Sequence, residues 1–93
     1  MALEFEWQPE KAAKNRRKHK VLFEEAATVF ADEMSATLYD PDHSDDEERF
    51  LTIGYSNRGR LLVVSHTGRG TRLRIINARP LTPKERRQYE EAE

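Results

Sequence analysis

The chain has 93 residues, 37% of them hydrophobic and 35% charged, with no cysteine and a formal net charge of −1. That length holds one hydrophobic core, so residues 1–93 read as a single domain. The missing cysteine excludes a disulfide scaffold, a thiol nucleophile and a Cys-based zinc site. No apolar run approaches the roughly 18 residues that span a bilayer, and Met1-Ala2-Leu3-Glu4-Phe5 is not a secretion signal; the expected location is the cytoplasm.

Leu3, Phe5 and Trp7 alternate with Glu4 and Glu6, the period-2 pattern of a half-buried strand. Pro9 suits the first turn of a helix, and Glu10–His19 reads as that helix. Its apolar residues are Ala12 and Ala13; Lys11, Asn15 and Lys18 share one stripe, with His19 beside them, where a core stripe is usual. A second helix carries Phe23, Ala26, Ala27 and Phe30 at core-facing spacing, with Glu24 and Glu25 in its first turn and Val21 and Leu22 tucked in ahead of it.

A strand near Ala36–Tyr39 precedes the acidic loop Asp40–Glu48, which lacks the glycine and terminal glutamate of a calcium loop and reads as solvated, pairing with Arg or Lys. Arg49–Ser56, Arg60–Thr67 and Thr71–Arg79 then form an antiparallel meander through loops at Asn57-Arg58-Gly59 and Gly68-Arg69-Gly70. Leu61-Leu62-Val63-Val64 is apolar on both faces, so its strand belongs in the middle. Thr82-Pro83-Lys84-Glu85 opens a third helix with a capping box. The fold class is α+β: a small antiparallel sheet of about four strands with helices packed on it.

The near-neutral total hides strong asymmetry. Residues 11–20 hold six bases and no acid, residues 32–48 eight acids and no Lys or Arg, and residues 58–87 nine bases against Glu85. One face can therefore bind a polyanion, although solvated charged faces would produce the same runs. Arg72 and Arg74 project from one face of their strand, and their planar forks suit phosphate; neutralisation by the acidic loop is the alternative. His66 alternates with Leu62 and Val64 and neighbours the arginine strand, so it serves either as general acid or base or as a structural residue. Tyr89 either stacks on a base or packs the third helix.

The ordered set Phe5-Glu6-Trp7, Lys11-Ala12, Asn15, Lys18-His19, Phe23-Glu24-Glu25-Ala26, Val29-Phe30, Asp42-His43-Ser44, Glu47-Glu48-Arg49, Ile53-Gly54, Arg60–Val64, His66-Thr67, Arg74–Arg79 and Glu85–Glu90 resembles the BrnT family of bacterial type II toxins over nearly the whole chain. The resemblance implies a RelE-like fold and an endoribonuclease that blocks translation by cleaving RNA. It also implies a BrnA-type antitoxin, a two-plus-two complex, and contact with DNA only through that antitoxin. Neither cofactor nor metal is implied, and no membrane. Lys20, Gln8 and Asn77 depart from the family's usual Gly, Asp and Ser.

The implied chemistry is attack of an RNA 2′-OH on the adjacent phosphate, which needs a base, positive charge for the phosphorane and an acid for the leaving oxygen. Arg74 and Arg79 are the expected phosphate stabilisers, with Arg49 and Arg72 as further candidates, and His66 is the expected acid or base. Lys11, Lys18, His19, Arg69 and Arg72 are the expected RNA-binding set. The alternative is a non-catalytic RNA- or protein-binding module on the same fold; a third reading makes the basic face the dock for an acidic antitoxin segment.

Overall fold

The computed structural model describes residues 3–91; residues 1–2 of the N-terminal segment and 92–93 of the acidic tail lie outside it. The chain runs β1 (Glu4–Glu6), α1 (Pro9–His19), α2 (Phe23–Thr28) continued by a 3₁₀ turn (Val29–Ala31), β2 (Ala36–Tyr39), a 3₁₀ turn (Pro41–His43), β3 (Phe50–Tyr55), β4 (Leu61–Arg69), β5 (Arg72–Pro80) and α3 (Pro83–Glu91). The sheet order is β1-β5-β4-β3-β2, with β1 parallel to β5 and the remaining pairs antiparallel. The expected sheet of about four antiparallel strands is thus corrected to five strands in a mixed sheet. The two short edge strands account for the difference: β1 is only three residues and meets β5 after the whole chain has crossed over, a pairing that local patterns do not reveal.

The meander appears as expected, with β4 central and buried from Leu61 to Thr67. Its second turn is tighter than Gly68-Arg69-Gly70 suggested, because Arg69 already pairs with Arg72 and only Gly70, at φ 63°, and Thr71 make the link. Gly54 has a different reason to be glycine: an added Cβ would lie 2.9 Å from Cβ of Ser35.

Residues paired across antiparallel strands point to the same side of a sheet. Leu62, Val64, Ile75 and Ala78 therefore form one inner face, sealed by Val21, Phe23, Ala26 and Val29. Each fully buried Val, Leu, Ile or Phe of this set contributes about 1.5–3 kcal/mol. Trp7 packs edge-on to Phe23 and Phe5 tilts against Phe30, so the alternation of β1 delivers two aromatics to this core. Val21 is fully buried as expected, but Leu22 is 42% exposed.

Both ends of α1 show the cost of the sequence departures. Gln8 makes no side-chain cap bond at the N-terminus. Lys20 closes the C-terminus in the left-handed region (φ 60°, ψ 34°), a conformation that costs a non-glycine residue about 1–2 kcal/mol. The expected capping box of α3 forms in full: the Glu85 N–H donates to Thr82 Oγ1 at 3.2 Å and the Thr82 N–H donates to Glu85 Oε1 at 2.9 Å.

Candidate active site

Asn15 is the single buried residue of α1, at 5% exposure, and it does the work of a strand. β1 pairs only with Arg72–Arg74, so beyond Arg74 this edge of β5 has no strand beside it. There the Asn15 amide donates to the Ala78 carbonyl at 2.8 Å and accepts from the Ala78 N–H at 3.0 Å. A third bond, to the Val21 carbonyl at 3.0 Å, ties down the chain after α1. The middle of the polar stripe is therefore structural, and it sets α1 against the open edge of β5.

The junction leaves a groove of about 560 Å³ between α1 and the outer face of β5. Lys11, Lys14, Lys18 and His19 border it from α1; Asn77, Arg79 and Arg49 border it from the sheet. A smaller adjoining depression shares Lys11 and Arg49 and adds Arg69 and Arg74.

A β-bulge makes the arginine arrangement possible. Asn77 pairs with Ser65 but Ile75 pairs with His66, so Ile76 is an extra residue in β5. Strict alternation would put Arg74 and Arg79, five apart, on opposite faces. The extra residue restores them to one face, where Arg74 pairs with Thr67 and Arg79 with Val63.

Most of the expected arginines carry a carboxylate partner. Arg74 binds Glu6 at 2.7 Å, Arg72 lies 3.6 Å from Glu4 and Arg49 lies 3.8 Å from Glu47. Arg79 is gripped by both oxygens of Glu85, at 2.8 and 3.0 Å, which holds the Glu85 pKa down to about 2. The neutralising acids of the hairpin arginines thus come mainly from β1, through the parallel pairs Glu4–Arg72 and Glu6–Arg74, and not from the acidic loop. Arg49 Nε is buried without a hydrogen-bond partner. Among the described residues Lys11, Lys14, Lys18 and Arg69 form no ion pair, so they supply the uncompensated charge around the groove.

His19 is the imidazole of this groove. Partial burial lowers its pKa, and the charges of Lys18 and Arg79 lower it further. It is therefore mostly neutral at pH 7 and able to accept a proton.

His66 lies elsewhere. Its alternation with Leu62 and Val64 holds, and that alternation places it on the inner face, opposite Arg74 and Arg79. It is 7% exposed, meets Phe30 edge-on and stacks on Phe50, and its Nε2 lies 2.7 Å from Thr52 Oγ1. Burial lowers its pKa to about 4. Of the nine expected site residues, the structure gathers Lys11, Lys18, His19, Arg49, Arg69, Arg74 and Arg79 around the groove and its neighbour; His66 and Arg72 border a separate depression near Leu3 and Leu73. Lys14 was missed, although its place three residues after Lys11 was the available signal. Tyr89 donates its hydroxyl hydrogen to the Met34 carbonyl at 3.0 Å, which fastens α3 to the start of β2.

These features define a small α+β protein whose cationic, imidazole-bearing groove suits a polyanion. Residues 7–85 match the family model described as the ribonuclease toxin, BrnT, of type II toxin–antitoxin systems, and the chain belongs to this family. Membership implies an antitoxin partner. The fold is similar to the crystal structure of the Brucella abortus ribonuclease toxin BrnT, with a TM-score of 0.63 and 19% identity over 87% of this chain and 99% of that one. No curated protein matches the sequence. No helix among the described residues is long and apolar enough to cross a membrane.

Proposed function

We propose that this ribonuclease toxin cleaves RNA in the groove between α1 and β5, by attack of a 2′-OH on its neighbouring phosphate and without a metal ion. The observation that carries the reading is a neutral imidazole, His19, set among lysines on one face with Arg49 and Arg79. His19 accepts the 2′-OH proton. Lys11, Lys18 and Arg49 bind the phosphate and the charge that grows on it, with Arg79 behind His19. The leaving 5′-oxygen takes its proton from an ammonium of the same groove. His66 is assigned to the core, since it faces away from the arginines that would hold the phosphate.

The antitoxin of this reading is BrnA-type, forms a two-plus-two complex and blocks the groove with an acidic segment that mimics RNA. Salt-sensitive association would support that contact.

The test is cleavage of RNA by the purified chain in EDTA, with His19→Gln and His66→Phe side by side. His19→Gln should lower the rate about 100-fold or more, the usual range for losing a general base, while His66→Phe retains activity as long as it is folded. Full activity in folded His19→Gln would refute the assignment of the base. RNA binding without cleavage by the wild type would favour a recognition module or a ribosome-dependent enzyme, and a translation assay would separate those.

A further inference from the structure

α1 is cationic on two opposite sides. At 100° per residue, Lys11, Lys14, Lys18 and His19 cluster on one side and Arg16 and Arg17 on the other, where Lys20, just past the helix, joins them. The second cluster meets Arg58, from the β3–β4 loop, across a cleft of about 570 Å³ floored by Ala13 and Leu22. All four bases are exposed. Among the described residues none of them forms an ion pair with a carboxylate, although the chain has 17 acids. Arg58 senses the charge of Glu25, but that carboxylate is held by Arg60 and Ser56.

Lys20 adds an independent sign. It occupies the left-handed position that closes α1, where glycine would fit without steric cost, and its Nζ donates to the Arg17 carbonyl at 3.3 Å. The fold thus accepts backbone strain and keeps a cation beside three arginines.

We propose that this cleft is a second RNA-backbone site, which holds the strand after it leaves the groove and passes over the C-terminal end of α1. The proposal rests on RNA being the groove's ligand. α1 is about 10–12 Å across with its side chains, so a few nucleotides bridge the two sites. Three guanidiniums and an ammonium suit successive phosphates, and the cleft has no aromatic to read a base, so the contact is independent of sequence. A protein partner fits less well, because a docking surface needs an apolar centre and this floor offers only Ala13 and Leu22.

The test measures binding of 2′-O-methyl oligonucleotides, which lack the nucleophile, so affinity is read without cleavage. A tetranucleotide and a sixteen-nucleotide strand bracket the usual ~4–16 nucleotide footprints. In Arg16→Gln/Arg17→Gln/Arg58→Gln the long strand should bind about tenfold more weakly, while the tetranucleotide binds within about twofold of wild type. The log–log salt slope for the long strand should fall by about 2, at ~0.7 per phosphate contact. Lys20→Gly should weaken the long strand while melting no lower than wild type, which excludes misfolding as the cause.

Wild-type affinity of the triple variant for the long strand would overturn the proposal. So would equal losses on both lengths, or loss of a polyglutamate peptide with RNA binding intact, which would make the cleft a protein dock. Wild-type protein that binds neither oligonucleotide would sink the ribonuclease reading and this proposal together, whereas length-independent binding would sink this proposal alone.

Discussion

Asn15 and His66 show how far a residue's type can mislead about its task. Asn15 sits among lysines in sequence, yet its amide replaces a missing strand on Ala78. Asn15→Leu would leave the Ala78 N–H and the Ala78 and Val21 carbonyls unpaired, and should cost about 3 kcal/mol in urea unfolding. His66 has the chemistry of a catalyst and the environment of a core residue. Its unfolded-state pKa is 6.5 and burial lowers it to about 4 in the fold, so the unfolded chain binds the proton first. Stability from this group is complete above pH 6.5 and falls as pH drops toward 4, by up to about 3 kcal/mol. His66→Phe should flatten that part of the profile; Thr52 Oγ1 would keep its 2.8 Å bond to Thr37 Oγ1. A variant whose urea midpoints follow the wild-type pH dependence would refute this assignment.

At the scale of elements, two attachments hold the periphery. Glu25, in the first turn of α2, accepts from Ser56 Oγ at 2.6 Å and from Arg60 Nε at 2.9 Å, and so binds the helix to the β3–β4 loop. Arg60, with the stronger hydrogen bonding, is the main reason the Glu25 carboxyl titrates below its usual range. α3 has no buried residue and depends on its capping box, the Arg79–Glu85 fork and the Tyr89 hydroxyl. Glu85→Gln keeps a side chain able to complete the box and removes only the charge pair, so thermal melts should show a loss below about 1 kcal/mol. Glu85→Ala removes both and should lose about 1–2 kcal/mol. Either change uncovers the Arg79 guanidinium in the groove and should strengthen oligonucleotide binding; unchanged affinity would mean that Arg79 does not contact RNA. The capping box and the turn at Asn57-Arg58-Gly59 were legible because their rules are local, and the second hairpin was legible except for its exact turn. The bulge at Ile76 was not, since it exists only as a mismatch between two paired strands.

Across the whole molecule, a net charge of −1 coexists with a groove ringed by cations, because the acids are spread along β1, α2, the segment after it, the loop around Asp40–Glu48 and α3, while cations line the groove. RNA affinity should therefore fall steeply with salt despite the acidic total, with a log–log slope of about 3 if four phosphates are bound at ~0.7 each. A slope near zero would show that the groove does not track a backbone. Cleavage should gain rate with pH through an inflection below 6.5, the side to which His19 is displaced.

The order of helices and strands, the central place of β4 and the separation of basic from acidic segments could all be read from the sequence, because periodicity, turn residues and charge runs act over a few neighbours. The resemblance to the BrnT family was legible in the same way, from short pieces in a fixed order. The composition of the site was decided by long-range contacts. Parallel pairing of β1 gave Arg72 and Arg74 their glutamates, the bulge brought Arg79 to the side of Arg74, and the edge of β5 made Asn15 structural. Those outcomes depend on which residues meet across the sheet and on how water is excluded there, and both follow only once the chain has closed on itself.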